Sequence, residues 1–200
     1  MNGKDSAPGG LALIEALVNT LDVETGADTL DTADGRAAFG LAEPDIPDAR
    51  VLREALRTAC LAHAGHRPPD GSAAPPLDRL LADAPLRVTV DAAGAAALRP
   101  AAEPAGLTVR VAAAIATAAA DGTWLRLKAC EAEDCRWVYY DRSPAGRRRW
   151  CSMSVCGARA KMRTYRAKSA ESAESAESVK SAESAESVKS AESAESVKRA

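Results

Sequence analysis

Two closely spaced pairs of cysteines constrain this 200-residue chain more than any other feature. Cys130 and Cys135 are separated by four residues, as are Cys151 and Cys156, and fifteen residues lie between the pairs. Thiolates are good Zn²⁺ ligands, and four of them complete a tetrahedral site that leaves no open position for chemistry. Four unrelated core cysteines would rarely cluster so closely. The spacing therefore predicts a structural zinc site with Zn²⁺ held by these four side chains.

The chain shows no signal for export or membrane insertion. The segment from Met1 to Asp5 lacks a basic region followed by a long apolar run. No stretch reaches the roughly 18 uninterrupted apolar residues that a membrane span requires. We therefore expect a cytoplasmic protein without a membrane partner, in which clustered cysteines favour a metal over disulfides.

The net charge of −2 conceals a strong asymmetry along the chain. Residues 1–125 hold 10 basic and 17 acidic side chains, whereas residues 126–168 hold 12 basic and 4 acidic ones. Residues 169–200 hold 4 basic and 7 acidic side chains. A concentrated cationic segment of this kind usually indicates an anionic partner.

The region before the cysteines is predicted to be mainly helical with one β-hairpin. Apolar residues recur at helical spacing in residues 9–22, and Asp48 is a suitable cap for a helix that runs to about His63. The alternating segment Leu86–Val90 predicts a strand that turns back into a weaker strand near Ala95–Arg99. Further helices are predicted at Gly35–Leu41, Leu77–Ala84 and Gly106–Ala120. A loop is predicted at His66–Pro76, between the helix that ends near His63 and the helix that begins at Leu77. Cys60 falls on an apolar helix face and is predicted to be a core residue.

The cysteine region is predicted to form a small finger made of a short hairpin and a helix. Trp137–Tyr140 has strand character, and Ser152 or Ser154 could cap a helix that continues to Lys168. After Lys168 every third residue is Ser, which predicts a low-complexity tail that is frayed or disordered. The predicted fold class is α+β, with the segments 1–8 (disordered), 9–122 (N-terminal domain), 124–168 (finger) and 169–200 (tail).

The cationic segment contains no acidic residue between 142 and 168, whereas a merely solvated surface usually mixes both signs of charge. Guanidinium groups match phosphate oxygens well, so nucleic acid is the expected partner. Arg159, Arg163 and Arg166 share one helix face, with Lys161 on the opposite side. The candidate nucleic-acid contacts are Arg147, Arg148, Arg149, Arg159, Lys161, Arg163 and Arg166. Among the interleaved aromatic residues, Trp137 and Trp150 are predicted to pack around the zinc site, and Tyr140 is the better candidate for a base or phosphate contact.

Other clusters support no second site. His63 and His66 lack a nearby third ligand and are predicted to lie at a frayed helix end. Asp28, Asp31 and Asp34 lack the glycine and the terminal glutamate of a calcium loop. No nucleophile elbow or phosphate-binding glycine loop is present, so we expect no enzyme activity.

The segments Cys130–Asp141, Arg148–Met153 and Cys156–Lys161 resemble the bacterial CGNR zinc finger. The segment Leu17–Asp22 is similar to the opening of the ABATE domain that precedes this finger. The resemblance implies a stress-associated transcriptional regulator whose finger binds DNA and whose zinc ligands are the four cysteines. Two features depart from the family pattern: Ala158 replaces the name-giving Asn, and Ser143–Gly146 replaces a Ser-Arg/Lys-Asn segment.

We therefore predict a zinc-containing DNA-binding regulator in the nucleoid, whose acidic N-terminal domain regulates the finger. That domain would respond to a small-molecule effector or pair with another copy of the chain. The alternative is an interaction module that uses the same basic finger on RNA or on an acidic protein surface.

Overall fold

The computed structural model describes residues 6–66 and 75–172, and these residues form an α+β fold. Their helices are α1 (Leu11–Val18), α2 (Ala33–Ala37), α3 (Ile46–His63), α4 (Leu77–Leu81), α5 (Leu107–Ala120) and α6 (residues 158–172), with 3-10 turns at Thr29–Asp31, Glu43–Asp45 and Trp124–Arg126. Their strands are β1 (Leu86–Val90), β2 (Ala96–Pro100), β3 (Leu127–Ala129) and β4 (Val138–Tyr140). Within these residues, no helix combines the length and the apolar character that crossing a membrane requires.

Helices α1, α3 and α5 pack together around the main hydrophobic core. Ile14 and Leu17 of α1, Leu56 of α3 and Val111 of α5 are fully buried there. Their helical spacing places one apolar stripe of each helix toward the others. Cys60 is also fully buried, and desolvation raises the pKa of its thiol to about 12, so its prediction as a core residue is confirmed.

The start of α3 differs from the prediction, because the helix begins at Ile46 and Asp48 lies within its first turn. Pro47 also lies in the first turn. Proline fits there because a backbone N–H in the first turn has no acceptor within the helix. Asp45 is the residue before the helix, and its carboxylate accepts a 2.8 Å hydrogen bond from the N–H of Ala42. The prediction of a cap at Asp48 is therefore wrong.

The predicted hairpin is confirmed, because β1 and β2 pair antiparallel with Val88 opposite Leu98. The turn between them is closed by Asp91, whose Oδ1 accepts hydrogen bonds of 2.9 Å from the N–H groups of Ala93 and Ala95. Gly94 takes a φ of +83°, a conformation that glycine adopts without steric cost.

The second hairpin joins the helical core to the finger. Strands β3 and β4 pair antiparallel, with Lys128 opposite Tyr139 and Ala129 opposite Val138. Because side chains alternate along a strand, Leu127 lies on the same face as Ala129 and Val138, and these three are fully buried in the main core. Lys128 and Tyr139 lie on the other face. The finger hairpin therefore shares its hydrophobic core with the N-terminal helices.

The ends of the described chain differ in their contacts. Residues 6–8 belong to the segment predicted to be disordered, but Ala7 is buried and its N–H donates to Oε2 of Glu15 at 2.6 Å. The described residues up to Cys156 form one compact unit, and those from Gly157 onward form a second. Most of the predicted loop at His66–Pro76 and of the predicted tail lies outside the described residues.

Candidate metal centre and basic loop

The four cysteines predicted to be ligands converge on one point. The sulfur atoms of Cys130, Cys135, Cys151 and Cys156 all lie within 4.8 Å of one another. The Sγ atoms of Cys135 and Cys151 are 3.6 Å apart, and those of Cys151 and Cys156 are 3.7 Å apart. Cys130 and Cys156 are buried, whereas Cys135 and Cys151 are half-buried. We call this group the sulfur cluster.

The separations within the sulfur cluster fit a tetrahedral zinc site. A Zn–S bond of about 2.3 Å implies sulfur atoms roughly 3.8 Å apart at the corners of a tetrahedron. A disulfide would instead bring two sulfurs to about 2.05 Å, and all four cysteines are free thiols in the structure. The donor set, its burial and its spacing therefore fit a zinc ion bound by four cysteines.

The electrostatics of the sulfur cluster also favour a cation. Hydrogen bonds from the thiols of Cys135 and Cys151 lower the pKa of Cys130. The hydrogen bond to Cys130 raises the pKa of Cys135 and of Cys151, and repulsion by the negative charge of Cys130 adds to both shifts. A divalent metal ion resolves this repulsion, since it binds deprotonated thiolates and releases their protons.

A strained turn positions the first pair of cysteines. The N–H groups of Cys135 and Arg136 both donate to the carbonyl of Ala132 at 3.0 Å. Arg136 adopts a φ of +52°, the only such value among the described non-glycine residues. A left-handed conformation costs a residue with a Cβ atom about 1–2 kcal/mol. The surrounding contacts must therefore hold Arg136 in place, and no sequence pattern predicted this.

Asp141 organises residues 142–149, which we call the basic loop. Its fully buried carboxylate accepts hydrogen bonds from Ser143 Oγ at 2.6 Å, the Arg148 N–H at 2.9 Å and Lys128 Nζ at 3.0 Å. Burial by itself would raise the pKa of Asp141, but the hydrogen bonds from Ser143, Arg148 and Lys128 outweigh it and hold that pKa well below its usual range. Lys128 also donates to the carbonyl of Gly146. The loop is thus fastened to β3 at two points.

Gly146 makes a turn within the basic loop. Its φ is +59°, in the left-handed region that glycine and asparagine favour among the amino acids. Glycine adopts this conformation without the steric cost that a Cβ atom would add.

The three consecutive arginines of the basic loop have different surroundings. Arg148 lies over the ring of Tyr139 at 4.9 Å and donates to the carbonyl of Cys151 at 2.6 Å, so its side chain braces the loop. Arg149 pairs with Glu131 and lies 4.9 Å from the ring centre of Trp150, yet 56% of its side chain is exposed. Arg147 is exposed. Arg147 and Arg149 therefore present charge to solvent beside the sulfur cluster.

The aromatic residues of the finger are mostly packed. Trp150 lies against the sulfur cluster, in line with its predicted packing role. Tyr139 is buried, and its hydroxyl donates to the carbonyl of Arg148 at 2.7 Å. Tyr140 packs partly against the main core and lies under the guanidinium of Arg142, 5.2 Å from its ring centre. Trp137 is half-buried.

After Cys151 the chain forms a wide turn and enters α6. Ser152 caps this turn, because its Oγ accepts a 3.3 Å hydrogen bond from the N–H of Val155. Helix α6 carries Ala158 in its first turn and the other predicted basic contacts along its length. These basic residues are Arg159, Lys161, Arg163 and Arg166, and all four are exposed.

Polar side chains of the N-terminal helices hold the finger hairpin. The amide of Asn19 donates to the carbonyl of Val138 at 2.8 Å and accepts from the Val138 N–H at 2.8 Å, so it pairs with β4 as a neighbouring strand would. Nδ1 of His63 lies 2.8 Å from the carbonyl of Leu127. The ring of His63 also meets Trp124 edge-on, with ring centres 4.7 Å apart.

The role of His63 corrects the prediction of a frayed helix end. Burial lowers the pKa of His63, the Leu127 carbonyl opposes that shift, and the charge of Lys128 adds to it. The neutral imidazole is therefore favoured as a fixed structural link between α3 and β3. His66 is not joined to it in any metal-binding group of the described residues.

Two buried arginines of α3 were missed by the sequence analysis. Arg53 and Arg57 are only 4% and 6% exposed, although arginine is rarely buried without a partner. Both pair with Glu54, and Arg53 also pairs with Asp28 at 2.8 Å. The available signal was their spacing of four residues, which places both on one side of the helix.

Family models match most of the chain in two consecutive segments. A model named ABATE, described as "Putative stress-induced transcription regulator", matches residues 11–122, which is more than half of the chain. The chain belongs to the ABATE family. A second model, the CGNR zinc finger, matches residues 126–169. A search of curated proteins gave no significant match.

Membership of the ABATE family, followed by a CGNR finger, confirms the resemblance drawn from the sequence motifs. The combination of these matches with the sulfur cluster indicates a zinc-binding regulator. Neither of the two matched families is a family of enzymes.

Proposed function

We propose that this ABATE-family chain is a DNA-binding transcriptional regulator that acts in the cytoplasm at the nucleoid. Residues 124–168 would form the DNA-binding finger, residues 9–122 the acidic regulatory domain, and residues 169–200 an independent tail. The observation that carries the proposal is the basic loop, which presents Arg147 and Arg149 to solvent from a backbone fixed by Asp141. Residues 142–168 contain no acidic side chain, and within the part of the chain that the structure describes the one carboxylate that pairs with these two arginines is Glu131, which contacts Arg149.

The proposed zinc ion has a structural role. Cys130, Cys135, Cys151 and Cys156 would hold it, and four thiolates leave no coordination position for a substrate or a reactive water. The ion would bind Cys151 just after the basic loop, and Asp141 holds the beginning of the loop through Ser143, so the arginines need little ordering when they meet an anion. We therefore propose no catalytic step.

The basic loop and α6 supply separate sets of proposed phosphate contacts. Arg148 is the exception among the predicted contacts, because its guanidinium donates hydrogen bonds to the backbone carbonyls of Trp150 and Cys151 and so stabilises the loop. The proposed contacts are Arg147, Arg149, Arg159, Lys161, Arg163 and Arg166. Phosphate contacts give affinity and orientation, whereas sequence choice requires contacts with base edges.

Binding of a fluorescently labelled mixed-sequence duplex to the zinc-loaded full chain tests this function. If the six proposed contacts each neutralise one phosphate, the slope of log K against log salt should have a magnitude of about 5. Arg147→Ala should reduce that slope by about 1. Arg87→Ala is the matched control, because it removes an exposed arginine on β1 and should leave the slope unchanged. Absence of binding at low salt would overturn the proposal.

The substitution at the family's name-giving position gives a second test. Ala158→Asn should sharpen the preference among DNA sequences by about 1–3 kcal/mol, because an asparagine amide can bind an adenine edge with two hydrogen bonds. The preference is measured by competition among a randomised set of duplexes. An unchanged preference together with a higher melting temperature would instead assign the family's asparagine to holding the turn.

A second candidate function is a module that binds RNA or an acidic protein surface. The observation that favours it is the apolar tip between Cys151 and Cys156, where Met153 and Val155 are 63% and 47% exposed. Exposed apolar groups beside charges are common in protein interfaces. Competition of a single-stranded RNA, or of a polyglutamate chain, against the labelled duplex separates the two functions.

A further inference from the structure

Arg57 connects the N-terminal helices to the turn that carries a cysteine of the sulfur cluster. Its Nη1 donates to the carbonyl of Arg136 at 2.9 Å, and its Nη2 donates to the carbonyl of Val18 at 2.9 Å. Its Nε pairs with Glu54 at 3.0 Å. One buried guanidinium therefore joins α1, α3 and the finger.

The acceptor of this contact is the strained residue of the first cysteine turn. Arg136 directly follows Cys135 and has a φ of +52°. The Arg136 N–H is held by the carbonyl of Ala132, and the Arg136 carbonyl is held by Arg57. Both ends of this residue are thus fixed, which sets the direction in which Cys135 presents its sulfur.

We infer that Arg57 is a positioning residue of the zinc site, acting through the backbone of Arg136. Groups that orient metal ligands without touching the metal commonly change metal affinity about 10–100-fold when they are replaced. Zinc affinity would then depend on a side chain of the ABATE half. Because such coupling is reciprocal, zinc would in turn stabilise the packing of α3 against the finger.

Arg53 provides a matched comparison on the same helix. It is as buried as Arg57 and belongs to the same ion-pair network, since both contact Glu54. Its other bonds, to Thr20 Oγ1 at 3.0 Å and to Asp28 at 2.8 Å, remain within the N-terminal half. Loss of Arg53 therefore disturbs the network without releasing the carbonyl of Arg136.

The test compares Arg57→Met with Arg53→Met in the full chain. Zinc affinity is measured by competition with a chromophoric chelator, the absorption bands of bound Co²⁺ report the geometry of the sulfur ligands, and thermal unfolding reports stability. We expect Arg57→Met to raise the zinc Kd about 10–100-fold and to alter the Co²⁺ bands. Arg53→Met should lower the melting temperature while the zinc Kd and the Co²⁺ bands stay close to wild type.

Relief of the strained turn supplies a rescue experiment. Glycine adopts a positive φ without steric cost, so Arg136→Gly removes the need for an external contact. The double variant Arg57→Met/Arg136→Gly should recover most of the zinc affinity lost by Arg57→Met. A general loss of packing would not be repaired in this way.

Two results would overturn the inference. The first is a zinc Kd for Arg57→Met within about twofold of wild type, and the second is an equal loss of zinc affinity in the Arg53 and Arg57 variants. If Arg57→Met does not fold, Arg57→Lys replaces it, because a single ammonium cannot span the acceptors that the guanidinium fork joins. The same comparison and the same rescue then decide the outcome.

Discussion

Replacement of Cys151 by serine is expected to reduce bound zinc from one equivalent per chain to nearly none. Cys151 lies 3.6 Å from one neighbouring sulfur and 3.7 Å from another, so its loss opens the middle of the sulfur cluster. Structural zinc sites contribute an apparent 10–16 kcal/mol in isolated finger peptides, which exceeds the stability of many domains. Bound metal is measured by elemental analysis after gel filtration.

The expected damage in the Cys151→Ser variant is local. The β3–β4 hairpin should remain protected from hydrogen exchange, because Leu127, Ala129 and Val138 are buried in the main core. The turn around Cys151–Cys156 should lose the most protection, whereas the turn around Cys130–Cys135 should lose less, because Arg57 still binds the carbonyl of Arg136.

Cys60→Ala is the matched control for this experiment. It removes a cysteine that is buried in the core and lies outside the sulfur cluster. It should retain a full equivalent of zinc while losing some stability. A full equivalent of zinc in Cys151→Ser, or its loss in Cys60→Ala, would show that the cluster is not the zinc site.

Asp141→Asn is expected to lower the free energy of unfolding by about 3–5 kcal/mol, because it leaves the buried ammonium of Lys128 without its counter-charge. The side chains of Asp141 and Lys128 are 0% and 7% exposed, so water cannot replace the lost partner. The change keeps the shape of the side chain, and the measurement is chemical denaturation of the zinc-loaded protein. The basic loop should also lose its fixed geometry, so the affinity for DNA should fall.

Two companion variants isolate the charge effect. Glu133→Gln removes a carboxylate that is 92% exposed on the same finger, and it should change stability by less than about 0.5 kcal/mol. Lys128→Met/Asp141→Asn should be less destabilised than Asp141→Asn, because no unpaired buried charge remains. A loss below about 1 kcal/mol for Asp141→Asn alone would contradict the role assigned to the pair.

The sequence predicts those features that depend on local spacing. The four cysteines are recognisable because the two pairs of ligands are each close in sequence, and the structure brings their sulfurs together. The helix ending at His63 follows from periodicity, since it buries one side of a regular element. The strand at Leu86–Val90 follows from its alternating β-branched residues, although none of its side chains is buried. The start of α3 was misplaced because Asp45 and Asp48 are both plausible caps in sequence alone.

The polar contacts that connect the two halves could not be predicted in this way. Asn19 and Arg57 find their partners 119 and 79 residues further along the chain, in Val138 and Arg136. Periodicity reports which residues face the interior, but it carries no information about which distant carbonyl needs a donor. Asp141 is similar, because its burial becomes intelligible only when Lys128 and the Arg148 N–H are seen around it.

The core shared across the family boundary limits how this chain can be recombined. The two family models meet between residues 122 and 126, yet Leu127 and Val138 pack with the N-terminal helices and are held by Asn19 and His63. Recombination at that junction would place the β3–β4 hairpin of another protein against helices whose side chains fit the hairpin of this chain. Transplanting a finger from one such regulator to another would thus require its matching helix residues to be transferred with it, so the pair is expected to be inherited as a single block.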